Sequence, residues 1–239
     1  MTHDLALDAL CAVVGAGRMG TALVAASPRF VGPFPRGFTG DGFAAVLLAV
    51  PDAAIGAAAA LIDTGAVVGH CSGALGLDVL GDREAFGVHP LMTVTRAGAD
   101  FTGAGAAVAG SSPATLEYAQ HIATELGMHP VHIADADRAA YHAAACVASN
   151  FLVTLEDAAE QLLATTGADR SILVPIVRAA VENWATLGGP AALTGPIARG
   201  DDATVARQRD AVATRTPHLL AWFDEMCAVT AALRDRRPT

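Results

Sequence analysis

The sequence predicts a doubly wound α/β domain over residues 1–134 and a smaller all-helical domain over 135–239. Three observations predict it. Short apolar runs alternate with helical patterns and glycine-rich turns as far as Asp135. A G-x-G-x-x-G turn joins the first apolar run to the first helical pattern. From Asp135 onward the periodicity is helical alone.

Cys11–Val14 reads as a short buried strand, and Gly15, Gly17 and Gly20 follow on the dinucleotide-binding spacing before a helix over Met19–Ala26. Gly15 permits the tight turn, Gly17 lets a pyrophosphate approach the backbone, and Gly20 lets the helix sit close to the strand. The helix start offers unpaired N–H groups to the phosphates. Gly15, Ala16, Gly17, Arg18, Met19 and Gly20 are therefore the expected cofactor-binding set. Phe30-Val31 is a short second strand with no acidic residue at its end to bind ribose hydroxyls, Asp41 coming only after the turn. Arg29 and Arg36 are available for a 2′-phosphate, which favours NADP(H) over NAD, although a surface arginine in a turn is common.

Ala44–Val50 is wholly apolar, as a central parallel strand covered on both faces should be. Val50 and Pro51 end it, and Asp52 starts a helix through Leu61. Ala66–Gly69 leads to His70-Cys71-Ser72-Gly73, and Phe86–Val88 leads to His89-Pro90-Leu91. Ala104–Ala109 adds an edge strand, Ser112-Pro113 caps a helix to Leu126, and Val131–Ile133 closes the sheet. Ligands on such sheets gather at the carboxyl ends of the strands. Val50, Pro51 and His70 are accordingly expected at the cofactor, and Ser72 and His89 near the chemistry. His129 and His132 flank Pro130 and read as surface residues.

The second half predicts a long helix over Asp137–Thr166, stopped by Gly167, and a helix capped by Asp169 through Leu187. A loop follows over Ala191–Asp201. Asp202 caps Ala203–Thr214, and Thr216-Pro217 opens a last helix to Leu233. The polar tail from Arg234 to Thr239 is expected to fray.

Composition narrows the function. The net charge of −9 disfavours phosphate-backbone binding and favours a protein handling small molecules. The apolar run Phe43–Pro51 is too short to span a bilayer, and no basic segment with an apolar stretch opens the chain, so a cytoplasmic protein is expected. Cys11, Cys71, Cys146 and Cys227 are scattered, which suits reduced thiols better than disulfides or a metal site. All 15 basic residues are arginine, so no lysine can act as acid or Schiff base.

Three groups could carry chemistry. His142, Cys146 and Asn150 fall at i, i+4 and i+8 of the long predicted helix and share one face, with Tyr141 turned about 100° away. A histidine there can protonate an oxygen as hydride reaches the carbon, and an asparagine can hold that oxygen. The same face could equally be a packing surface. Arg199, in Leu193–Asp202, either takes a substrate carboxylate or pairs with Asp201 or Asp202 across an ordinary turn. His70, Ser72 and His89 complete the set. With lysine absent, the donors left are His142, His89, Tyr141 and His70, and His142 leads because it shares its face with Asn150.

GAGRMGTAL, LLAVPDAAI, VVGHCSGALGLDVL, HPLMT, YHAAACVASNFLV and LTGPIARGD together resemble, in order, the motifs of the Rossmann-like oxidoreductases with a helical C-terminal domain of unknown function. That family is similar to pyrroline-5-carboxylate reductases and 6-phosphogluconate-dehydrogenase-like enzymes, and some members are implicated as an alternative ketopantoate reductase of pantothenate synthesis. The resemblance implies NADP(H), reduction of a small carbonyl or imino acid, and dimerisation through a helical domain of the 6-phosphogluconate dehydrogenase C-terminal type. Standard ketopantoate reductases use a lysine on the first long helix of the second domain; here His142 stands at what looks like that station. The expected activity is therefore NADPH-dependent reduction of a 2-oxo acid, 2-dehydropantoate by name. His142 would be the acid, Asn150, Ser72 and His89 its companions, and Arg199, Cys146 and Tyr141 the substrate contacts. Reduction of a cyclic imine and a non-catalytic NADP(H) sensor are the alternatives.

Overall fold

Charge-free strands make the centre of the first half. In a computed structural model that describes residues 5–62 and 65–236, the chain divides into two compact units, Met1–Ser149 and Asn150–Thr239. In the first, β1 (Cys11–Val14) leads through α1 (Arg18–Ala26) to β2 (Phe30–Phe34). β3 (Ala45–Leu48), α2 (Ile55–Ala59) and β4 (Val67–His70) follow. β5 (Ala85–Leu91), β6 (Gly105–Gly110), α3 (Pro113–Glu125) and β7 (His129–His132) complete the sheet, and α4 (Arg138–Cys146) ends the unit.

The sheet order is β2-β1-β3-β4-β5-β6-β7. All neighbours run parallel except β5 and β6. Successive residues of a strand point to opposite faces, so one apolar run feeds two cores. Cys11, Val13, Ala45 and Leu47 pack on the side of α1 and α3, and Ala12, Val14, Val46 and Leu48 on the other. The doubly wound class expected from the sequence is the fold observed.

Three local expectations change here. β5 runs to Leu91, so His89 and Pro90 lie within the strand instead of beyond it. β6 is an interior strand held between β5 and β7, and β7, all four residues exposed, is the edge. The helix expected over Asp137–Thr166 is wound in three pieces: α4, a π-helical turn at Val147–Phe151, and α5 (Leu152–Ala164). The α spacing that aligned Asn150 with His142 and Cys146 thus stops at Cys146.

The second unit contains α5, α6 (Val174–Leu187), α7 (Gly189–Ala192), α8 (Gly195–Arg199), α9 (Asp202–Arg215) and α10 (Leu220–Asp235). The expected loop at 191–201 contains α8, which starts at Gly195-Pro196 and stops at the left-handed Gly200. Asp201, not Asp202, caps α9, its side chain accepting from the Thr204 amide. Residues 237–239 of the tail expected to fray lie outside the described residues. No described helix is long and apolar enough to cross a membrane.

Candidate active site

The glycine turn sits where the sheet order reverses, because β1 is continued by β2 on one side and by β3 on the other. Gly15 has φ +115°, and a Cβ on it would strike the Ala49 carbonyl and approach Val50 Cγ1 to 3.0 Å. A Cβ on Gly20 would collide with the Gly15 carbonyl oxygen, so strand, turn and α1 touch backbone to backbone. At Gly17 the opposite holds: no described protein atom stands within 4 Å of the position a Cβ would take. Gly17 is also the N-cap of α1 and supplies no side-chain cap, so the helix start faces open space with its N–H groups outward. This cradle fits a pyrophosphate. Ala16 and Arg18 are exposed beside it, and Met19 packs half-buried on the core. Val50 and the exposed Pro51 follow β3 on the same edge.

The two arginines expected at a 2′-phosphate part company. Arg29 is buried: its Nε donates to Glu125 Oε2 at 2.6 Å, and its Nη1 donates to the carbonyls of Leu7 and Ala9. It stands just before β2, at the amino end of the sheet, and ties that end to α3. It cannot reach a nucleotide. Arg36 is exposed in the turn after β2, at the carboxyl edge, and makes no ion pair among the described residues. Phe34 and Phe38 stack across that turn with centroids 4.0 Å apart and Phe43 edge-on, a clamp that fixes the loop carrying Arg36.

His70 and Ser72 prove to be loop-builders. The His70 ring is wholly buried, its Nδ1 accepting from the Ser72 amide at 3.1 Å and its Nε2 donating to the Gly76 carbonyl at 3.0 Å. Burial pushes its pKa down, with the Gly76 carbonyl working the other way. Neither ring nitrogen is left for a cofactor. Ser72 Oγ donates its one proton to Asp52 Oδ2 at 2.9 Å and accepts from the amides of Ala74 and Leu75, so it has no donor left to position a substrate.

His89 differs. Its Nδ1 lies 2.8 Å from the Tyr141 hydroxyl, and the ring of His142 packs edge-on with centroids 6.3 Å apart. A Cβ on Gly73 would come within 2.7 Å of the imidazole, so the loop after β4 closes directly on the ring. His89 is pushed down to about 4, first by burial, then by the neighbouring charges of His142 and Arg138 and, more weakly, His70, with Asp52 opposing. It is neutral at physiological pH. The Tyr141 phenol is raised by burial, against the pull of Arg138 and of the nearby Ala107 backbone.

Arg138, which the sequence reading did not include, is buried on the same face of α4. Its Nε donates to Asp135 Oδ1 at 2.9 Å, and its Nη2 has no hydrogen-bond partner among the described residues. Arg138, Tyr141 and His142 fall at i, i+3 and i+4, one face of α4. Cys146, a turn further on, is half-buried. Asn150 and Arg199 belong to the second unit; both are exposed, and Arg199 makes no ion pair among the described residues.

The family described as a domain of unknown function, DUF2520, matches residues 105–230, more than half of the chain. The chain belongs to the DUF2520 family. No curated protein matches it in sequence. Among solved structures, this DUF2520 chain is similar to TM1727 from Thermotoga maritima, at 21% identity and TM-score 0.78, covering 95% of this chain and 100% of that one. It is also similar to BF3122 from Bacteroides fragilis, named provisionally as an NADP oxidoreductase, at 16% identity and TM-score 0.80, covering 97% and 100%. The pyrroline carboxylate reductase of Plasmodium falciparum, solved with NADP bound, aligns at 12% identity and TM-score 0.57, covering 95% and 98%. At these identities the likeness establishes the fold that the DUF2520 chain shares with them.

Proposed function

We propose that the chain is an NADPH-dependent reductase of a small oxo or imino acid, with 2-dehydropantoate as the named oxo-acid substrate. One observation carries this reading: an uncapped glycine cradle and a half-buried imidazole–phenol pair lie on the same carboxyl edge of one sheet. The provisional name of BF3122 and the NADP in the Plasmodium structure support the choice of cofactor. When bound, NADPH supplies the hydride that reduces the double bond.

The chain's own residues divide the remaining work. The cradle from Gly15 to Gly20 holds the pyrophosphate at the start of α1. Arg36 pairs with the 2′-phosphate through charge-assisted hydrogen bonds. The His89–Tyr141–His142 group supplies the proton that the reduced heteroatom needs. Arg199 and Asn150, both of the second unit, are proposed as substrate-binding groups of that unit, the Arg199 guanidinium lying outside any ion pair among the described residues.

A second reading is favoured by the neutrality of His89. A site that disfavours an imidazolium suits a cyclic imine, which arrives already protonated. NADPH consumption against a panel of 2-oxo acids and cyclic imines separates the readings. Turnover of oxo acids supports the first and turnover of imines the second. Tight NADPH binding without turnover of any member would make the chain a cofactor sensor and overturn both.

We also propose a homodimer formed by the helical half. Among the described residues of the second unit only Ala158, Val212 and Thr216 are buried, and α6, with fourteen residues, buries none. Ile176, Trp184 and Leu187 of α6 stand exposed, as does Ile172 just before it. Apolar helices left this open seek a partner, and a second copy is the simplest.

A further inference from the structure

We propose that Tyr141 is the source of the proton given to the substrate, and that His89 relays it by releasing a proton from Nε2 as it gains one on Nδ1. This inference rests on the reductase reading above and assigns the proton path within that site.

The geometry supplies the two partners of the relay. The Tyr141 oxygen lies 2.8 Å from His89 Nδ1. In the proposed starting state the phenol donates to Nδ1, which places the ring proton on Nε2. Nε2 has no hydrogen-bond partner among the described residues. Gly73 lies against the ring, where a Cβ would come within 2.7 Å of the imidazole. These contacts hold a donor at the ring edge and a second donor in line behind it.

A relay answers the difficulty that the surroundings of His89 create. Burial, with His142, Arg138 and His70 nearby and Asp52 the single opposing charge, keeps the ring neutral down to about pH 4, so at neutral pH it is not an imidazolium acid. A relay never forms that cation. As hydride reaches the carbonyl carbon from NADPH, the oxygen takes the Nε2 proton, Nδ1 takes the phenol proton, and the C=O π pair becomes the new O–H bond. NADP⁺, an alcohol and a phenolate result, and water returns one proton to the phenolate. An alkoxide is about as basic as hydroxide and far more basic than a phenolate, so transfer from a phenol is downhill even though burial has weakened that phenol. The phenolate forms near the buried guanidinium of Arg138, whose Nη2 is unpartnered among the described residues. Tyr141 acts through His89 and is a positioning residue in this scheme; His89 is the catalytic one.

Two measurements test it. In the ligand-free protein labelled with ¹⁵N-histidine, NMR should report a single Nε2–H tautomer for His89, and Tyr141→Phe, which keeps the ring and removes the hydroxyl, should give a mixture. An Nδ1–H form in wild type, or an unchanged tautomer in Tyr141→Phe, overturns the relay. In single-turnover NADPH oxidation, the wild-type rate should depend on the deuterium fraction of the solvent as two transferred protons do. Tyr141→Phe should lose about 10²-fold in rate, show a one-proton dependence and keep its NADPH affinity. A one-proton dependence in wild type, or full rate in Tyr141→Phe, overturns the relay and leaves the reductase reading standing; a wild type that oxidises NADPH with no substrate overturns both.

Discussion

The carbonyl oxygen of Gly15 occupies the space a Cβ on Gly20 would need, whereas the corresponding space at Gly17 is open. The two glycines therefore fail differently when changed. Gly20→Ala drives α1 off β1 and should cost at least about 1–3 kcal/mol, as overpacking does. Gly17 has φ −75°, which alanine adopts freely, so Gly17→Ala should stay within about 0.5 kcal/mol of wild type in urea unfolding. Its methyl nevertheless enters the cradle, and NADPH affinity should fall about tenfold or more, a loss of at least about 1.4 kcal/mol. Unchanged affinity in Gly17→Ala would show that no pyrophosphate lies there.

Arg36 is the one arginine near the end of β2 that remains available, since Arg29 is bound to Glu125. A hydrogen bond to a charged group contributes about 1.5–3 kcal/mol, so Arg36→Ala should weaken NADPH binding by about 10- to 100-fold. NADH, which lacks the 2′-phosphate, should bind as before. Fluorescence titration of both cofactors against both proteins checks this. Equal losses for NADH and NADPH would remove Arg36 from the 2′-phosphate.

The imidazole of His89 should also show in stability. An unfolded histidine titrates near 6.5, while His89 in the fold resists protonation down to about 4. Between those values the unfolded chain binds more protons, so stability rises with pH and is lost as pH falls through the window. His89→Gln should flatten this slope by at most about 1.4 kcal/mol per pH unit. His70, shifted in the same direction, keeps some slope in the variant. Urea midpoints across the window read the difference, and identical slopes would mean that His89 titrates normally.

Association should depend on α6. Ile176 is 66% and Trp184 61% exposed, and burying side chains of this size stabilises by about 1.5–3 kcal/mol each. Light scattering should give about twice the 24.2 kDa chain mass, and Ile176→Arg should return it to the monomer value. A monomer in wild type at micromolar concentration would overturn the proposed dimer.

What the sequence made legible was local. The glycine spacing and the uncharged strands carry their physics within a few residues, so the turn, the sheet and its two buried faces could be read directly. The partners of polar side chains could not. Glu125 lies 96 residues from Arg29, and Tyr141 lies 52 from His89, so only the folded sheet shows that one arginine is consumed and one phenol engaged. His70 and Ser72 stood at the expected strand end, yet nothing in HCSG showed that both would close their own loop. The i, i+3, i+4 spacing of Arg138, Tyr141 and His142 was visible, and it points to a shared face that the emphasis on His142, Cys146 and Asn150 passed over. The π turn at Val147–Phe151 has no marker in VASNF.

If the chain is a reductase of this kind, hydrogen from the nicotinamide must end on carbon in the product. NADPH carrying deuterium at the transferring position, turned over with the best substrate of the oxo-acid and imine panel, reads this directly by mass spectrometry. The predicted result is one deuterium bound to the former double-bond carbon, retained on exchange into ordinary water. A product without label, or no product from any member of the panel, would contradict it.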